Sequence, residues 1–151
     1  MPVFACVMDF PRSVEEMFDF FCRPANLIKL SPPDLHLQLV VGPERIQQGS
    51  RITFKGRRWG LPQTVISEIR VFEPNVQFVD VMVRGPFHKW EHTHAFARND
   101  GGARVTDHLD YEPPTGLLGL VATPALVARE LAKTFDFRGK MLEKLLGGRQ
   151  C

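Results

Sequence analysis

His92 and His94 stand on either side of Thr93, and Asp107 lies beyond the turn Asn99-Asp100-Gly101-Gly102. Imidazoles gathered around a carboxylate can move protons, anchor the polar end of a ligand or hold a metal ion. Strand geometry decides whether they meet. Successive side chains of a strand point to opposite faces, so the two histidines share one face. The Asn-Asp-Gly-Gly run signals a hairpin, because these residues accept the left-handed backbone that a tight turn requires. A hairpin symmetric about the Asp100–Gly101 bond pairs Phe96 with Val105, His94 with Asp107, His92 with Leu109 and Trp90 with Tyr111. Trp90, Phe96, Val105, Leu109 and Tyr111 make that face apolar and therefore inner, while Glu91, Thr93, Arg104, Thr106, His108 and Asp110 suit the solvent side. A slip of one residue would expose the whole apolar set, which disfavours it. The same parity on the preceding strand turns Phe78, Asp80, Met82 and Arg84 inward, with Asp80 near Trp90 and able to reach His92 or Arg84.

Cross-strand β-carbons lie about 4.5–5.5 Å apart, close enough for a His94–Asp107 hydrogen bond. Polar groups enclosed among apolar ones must satisfy each other or a ligand. Three uses are open. The set can be a buried network that only fixes register. Alternatively, His92, His94, Asp80 and Tyr111 can be the few polar anchors of an apolar pocket. A catalytic arrangement would have His94 as general base, oriented by Asp107, with Tyr111 or Arg84 stabilising a developing enolate. A His-x-His pair with Asp107 or Asp80 as third ligand can bind zinc, but that spacing is common by chance, so no metal and no cofactor are expected. No glycine-rich phosphate loop or nucleophile elbow occurs, and Cys22 reads as a small packing residue.

These side chains need a frame. Val3 to Phe10 reads as a first strand ending at Pro11. Ser13 can cap a short helix carrying Val14, Met17, Phe18 and Phe21 at helical spacing, and Asn26 to Leu30 makes a second helical turn. Strand-like segments follow at 35–41, 50–57, 63–72, 76–84, 87–98 and 103–112, separated by Gly and Pro turns. The rest is helical: Thr123-Pro124 starts a long helix, Leu131 and Phe135 lie on its apolar stripe with Arg138 among them, and Gly147-Gly148 stops it. Strands joined by short turns pair antiparallel, and the long helix is the one large apolar element able to cover them. The expected class is α+β: a curved antiparallel sheet of about seven strands wrapped around the C-terminal helix, with two short helices after the first strand closing one end. The candidate ligand-binding side chains are Phe54, Asp80, Met82 and Arg84 on the earlier strands. The hairpin adds Trp90, His92, His94, Asp107, Leu109 and Tyr111, and the helix adds Leu131 and Phe135.

A chain of 151 residues suits one domain, 1–151. Twelve phenylalanines against one tyrosine and two tryptophans fit a thick core or a lined apolar cavity. The net charge of +2 is small and the basic residues are scattered, so no nucleic-acid partner is expected. Lys55-Gly56-Arg57-Arg58, the densest basic run, reads as a solvated hairpin tip. Three cysteines without metal-ligand spacing fit free thiols in a reducing compartment. No signal-peptide pattern is seen, and Leu117 to Ala128, broken by Pro124, is too short for a bilayer span. A cytoplasmic protein without stable membrane insertion is expected.

The stretch Phe18-Asp19-Phe20-Phe21-Cys22-Arg23-Pro24-Ala25-Asn26-Leu27 carries a family resemblance, together with Phe72-Glu73-Pro74 and Gly85-Pro86-Phe87-His88-Lys89-Trp90-Glu91-His92. Gly102-Ala103-Arg104-Val105-Thr106-Asp107, followed by Tyr111 and Pro113, adds to it. Over nearly its whole length the chain resembles the START/SRPBCC superfamily, with the helix-grip fold shared by birch-pollen-allergen-like proteins and the polyketide cyclase/dehydrase group. The resemblance implies a cavity under the long helix for lipids, sterols, quinones, polyketides or hormones, and cyclase or hydrolase chemistry in some members. The leading expectation is binding of a small hydrophobic ligand. One alternative is a polyketide cyclase/dehydratase using His94, Asp107 and Tyr111. Another is a protein-interaction module, homodimeric among other forms, using the exposed sheet face or the Thr115–Ala122 lip.

Overall fold

The computed structural model describes residues 2–150, so Cys151, one of the three cysteines, lies outside the described residues. The chain runs β1 (Val3–Phe10), α1 (Val14–Phe21), α2 (Pro24–Lys29), β2 (Gln38–Val41), β3 (Arg51–Arg58), β4 (Leu61–Glu73) and β5 (Gln77–Arg84). It continues with β6 (Lys89–Asn99), β7 (Gly102–Glu112), α3 (Gly116–Val121), α4 (Pro124–Leu146) and β8 (Arg149–Gln150). The described strands form one eight-stranded sheet in the order β2-β3-β4-β5-β6-β7-β1-β8.

Local signals account for most of these boundaries. The Ser13 hydroxyl accepts from the Glu16 N–H at 3.0 Å and opens α1. The Thr123 hydroxyl accepts from Leu126 N–H at 3.3 Å, and Pro124 occupies the first turn of α4. Gly147, at φ 73°, ends α4 in the left-handed conformation favoured at helix ends. The β6–β7 hairpin has the symmetric register expected, with Phe96 opposite Val105, His94 opposite Asp107, His92 opposite Leu109 and Trp90 opposite Tyr111.

Two elements differ from expectation. Pro33–Leu35 forms a 3₁₀ turn and His36 is left-handed at φ 47°, so β2 begins only at Gln38. An eighth strand also appears, where Arg149 and Gln150 fold back beside Asp9 and Met8. Gly148 makes this return feasible, because a β-carbon there would collide with Phe10 and Met8.

Register shifts in the β4–β5 pairing, between Ile66 and Ser67 and again between Ile69 and Val71, bend the sheet. The bent sheet buries two apolar clusters. One gathers Met17 and Phe18 of α1 with Phe78, Phe96, Val105 and Leu142. The other gathers Phe87, Leu109 and Tyr111 with Val127, Leu131 and Phe135 of α4. Between the clusters runs a polar belt: along β7 Asp107 separates Val105 from Leu109, and along α4 Arg138 separates Phe135 from Leu142. No helix among the described residues is long and apolar enough to cross a membrane.

Candidate functional site

The belt adjoins a cavity of about 230 Å³ bounded by α1, α2, the inner face of the sheet and α4. Its wall is mostly aromatic and aliphatic. Phe54, Met82, Trp90 and Phe135 line it as expected, and Phe21 and Phe78 join them. Among its polar wall residues, Asp80, His92, His94 and Arg138 sit together at the belt.

The hydrogen bonds run diagonally across the ladder. Asp80 stands opposite His92, yet its Oδ2 accepts from His94 Nε2 at 2.8 Å. Asp107 stands opposite His94, yet its Oδ1 accepts from His92 Nε2 at 3.0 Å. Stacking of the imidazoles, with centroids 3.9 Å apart, accompanies this diagonal arrangement, and Phe78 stacks on the other side of His94 at 4.3 Å. Arg138 Nη2 donates to Asp107 Oδ1 at 3.2 Å. His94 Nδ1 also lies 3.2 Å from that oxygen but is not aligned for a hydrogen bond.

Charge balance explains the titration of the set. Two carboxylates and one guanidinium leave one negative charge, which a single imidazolium cancels. Burial alone would favour neutral His94, but Asp107 and Asp80 on either side outweigh it and hold its pKa above the ordinary value. Burial, joined by repulsion from His94, lowers the pKa of His92, which stays neutral. Burial opposes ionisation of Asp107 as well, yet Arg138 and the two imidazoles bring it well below the usual carboxylate range. Asp80 is likewise lowered, His94 overcoming the cost of burial. The surroundings thus push the two imidazoles in opposite directions, His94 towards its protonated form and His92 towards its neutral one.

The remaining expected residues lie elsewhere. Asp107 is covered by His92 and Arg138 and does not line the cavity. Arg84 is exposed, because β5 pairs with β6 only as far as Val81 and its last residues run past the enclosed face. Tyr111, Leu109 and Leu131 are buried away from the cavity in the second cluster, where the outer ends of β6 and β7 close onto the first half of α4. The Tyr111 ring packs edge-on to Phe87 at 6.1 Å, so it is not a partner of His94. Cys22 is buried, and burial pushes its thiol up to about 11, which fits packing rather than reactivity. The Thr115–Ala122 stretch contains α3 (Gly116–Val121), which exposes Leu117 and Leu120 and contributes nothing to the cavity wall.

Arg138 is the main residue that sequence reasoning left out of the site. Its signal was a cation on the apolar stripe of the long helix, a place where an unpaired charge is costly. Phe21 lies 5.2 Å from its guanidinium carbon and Phe135 5.8 Å, so the charge is also held between aromatic faces. Asp80, His92 and His94 place one ligand atom each within 4.8 Å of one another, a spacing that could accept a metal ion. Their hydrogen bonds to carboxylates and the nearby Arg138 cation already balance the set without one.

No protein-family model and no curated protein matches the sequence. Similarity is found among solved structures. The START superfamily protein from Mycobacterium smegmatis superposes with a TM-score of 0.71 at 14% identity, covering 96% of this chain and 97% of that one. TTHA0849 from Thermus thermophilus gives 0.68 at 21% identity over 95% of each chain. Major latex-like protein 151 from Panax ginseng gives 0.61 at 16% identity over 90% and 93%. With its antiparallel sheet closed over α4 and its paired short helices after β1, the chain has the helix-grip fold of the START/SRPBCC superfamily.

Proposed function

We propose that the protein binds a small apolar molecule in the cavity under α4, whose mostly aromatic and aliphatic wall carries a few polar side chains. The observation that carries this reading is the unfilled space itself. Phe21, Phe54 and Phe135 border a cavity of about 230 Å³ instead of meeting at its centre. Protein cores normally close such gaps, because each leaves its lining atoms without dispersion partners. The volume falls just below the usual range of roughly 300–1,000 Å³ for ligand pockets, which suits a compact ligand.

Ser67 lines the cavity, and a phenyl ring there would occupy the space. A calorimetric titration with 1-octanol should give saturable binding to the native protein, and Ser67→Phe should weaken it at least tenfold while circular dichroism shows an intact fold. Equal binding by both proteins, or no binding by either, would refute the reading.

One observation favours a second reading, acid–base chemistry of the cyclase or dehydratase kind. His94 and its partner Asp80 both border the cavity, and the Asp80 side chain remains 20% exposed. His92 uses Nε2–H towards Asp107, so its Nδ1 carries the lone pair of a base while His94 supplies the acid. With a β-dicarbonyl probe, Asp80→Asn should slow solvent exchange at the carbon between the carbonyls by about 100-fold or more, the lower range for lost general catalysis. Native exchange no faster than in buffer removes this reading.

A further inference from the structure

The basic run read from sequence as a solvated turn does not end in solvent. Arg57 and Arg58 close strand β3, and both line the cavity. The turn is Trp59-Gly60, with both residues at positive φ, 53° and 73°. A tryptophan rarely adopts this backbone, and the turn is held with its ring packed 5.9 Å from that of Phe87, a cavity residue.

Four arginines border the cavity, and they differ in how their charge is met. Arg23 pairs with Asp19 and Glu44, and Arg138 pairs with Asp107. Arg57 is exposed, so water meets its charge, and its Nη2 donates to Gly60 O at 3.2 Å. Arg58 differs from all three. Among the described residues it makes no ion pair, and its Nη1 is buried without an acceptor. Its guanidinium carbon lies 5.9 Å from the Trp59 ring, and the Trp59 Nε1–H is a second buried donor without a partner. Burial pushes the Arg58 pKa down, offset in part by Glu130 and Asp34 at longer range, but a guanidinium remains charged at neutral pH. A partly buried cation without a counter-ion is unfavourable unless an anion arrives from outside.

We propose that Arg58 is the anchor for the carboxylate of an apolar monocarboxylic acid whose hydrocarbon body fills the cavity. This rests on the cavity being a binding site and adds the chemical class of its occupant. The planar fork of a guanidinium matches a carboxylate with two parallel N–H···O bonds. A monoanion balances the one unpaired charge, whereas a phosphate dianion would bring an excess charge into the enclosure. At the opposite end Asp80 repels a second carboxylate, so the acid has a single orientation: head at β3, apolar end towards β6.

The test compares octanoate with 1-octanol, which share a chain and differ in charge. On the native protein octanoate should bind at least tenfold more tightly by calorimetry at neutral pH. Arg58→Gln should erase that margin, weakening octanoate at least tenfold more than it weakens 1-octanol. Arg58→Lys, which keeps the charge but loses the fork, should retain part of it. Equal affinity of the two probes for the native protein overturns the anchor, as does a margin that survives Arg58→Gln. If 1-octanol binds and responds to Ser67→Phe while the margin is missing, only the anchor falls. If neither probe binds, the cavity reading falls with it.

Discussion

Asp107→Ala is expected to cost about 3–5 kcal/mol of folding stability, the range seen when one partner of a buried ion pair is removed. Asp107 Oδ1 accepts from His92 Nε2 and Arg138 Nη2, and it lies 3.2 Å from His94 Nδ1. Without the carboxylate, Arg138 keeps its charge between Phe21 and Phe135 with no anion in contact. Domains of this size have only about 5–15 kcal/mol in total, so the loss should move the urea midpoint far towards zero with little change in slope. Adding Arg138→Met should restore much of the loss, since an apolar replacement of both partners is often neutral. A loss below about 1 kcal/mol, the level of exposed pairs, would show that water already screens the belt.

The second large effect is a fall in stability in acid. The folded-state pKa values of Asp107 and Asp80 lie below their unfolded values. Their contribution is therefore complete above about pH 4 and is lost as the pH drops through the folded values. The histidines act in opposite senses. His92 is lowered, so its contribution is present above about 6.5 and declines as the pH falls from there. His94 is raised, so its contribution is complete below about 6.5 and is lost as the pH rises through its folded value. Melting temperature plotted against pH should therefore peak near neutrality, decline gently on the alkaline side and collapse below about pH 4. In His94→Gln the alkaline decline should vanish while the acid collapse remains. A flat profile from pH 3 to 8 would contradict the ionised state assigned to the two carboxylates.

The β6–β7 register was legible because it depends on neighbours in sequence. Asn99-Asp100-Gly101-Gly102 sets the turn, and alternation then places every side chain on its face. The same parity correctly turned Asp80 and Met82 inward. Hydrogen-bond partners were not legible in this way. Residues directly opposite are fixed by the ladder, but the diagonal choice depends on ring stacking and rotamers, so Asp80 meets His94 and Asp107 meets His92. Tyr111 and Arg84 were misplaced for a related reason. Parity gives the face of a residue, but not how far along the strand the enclosed space extends. Arg58 was hidden by a rule that is usually sound, that charged residues beside a turn are solvated.

The two indoles of the chain give the empty space an optical consequence. Trp90 lines the cavity, and Trp59 backs Arg58 while touching Phe87. The chain has no other tryptophan, so its entire long-wavelength emission originates within one or two side chains of the cavity. A molecule that enters and displaces water will shift that emission without any attached label, and Trp90→Phe leaves Trp59 alone to report the end near β3.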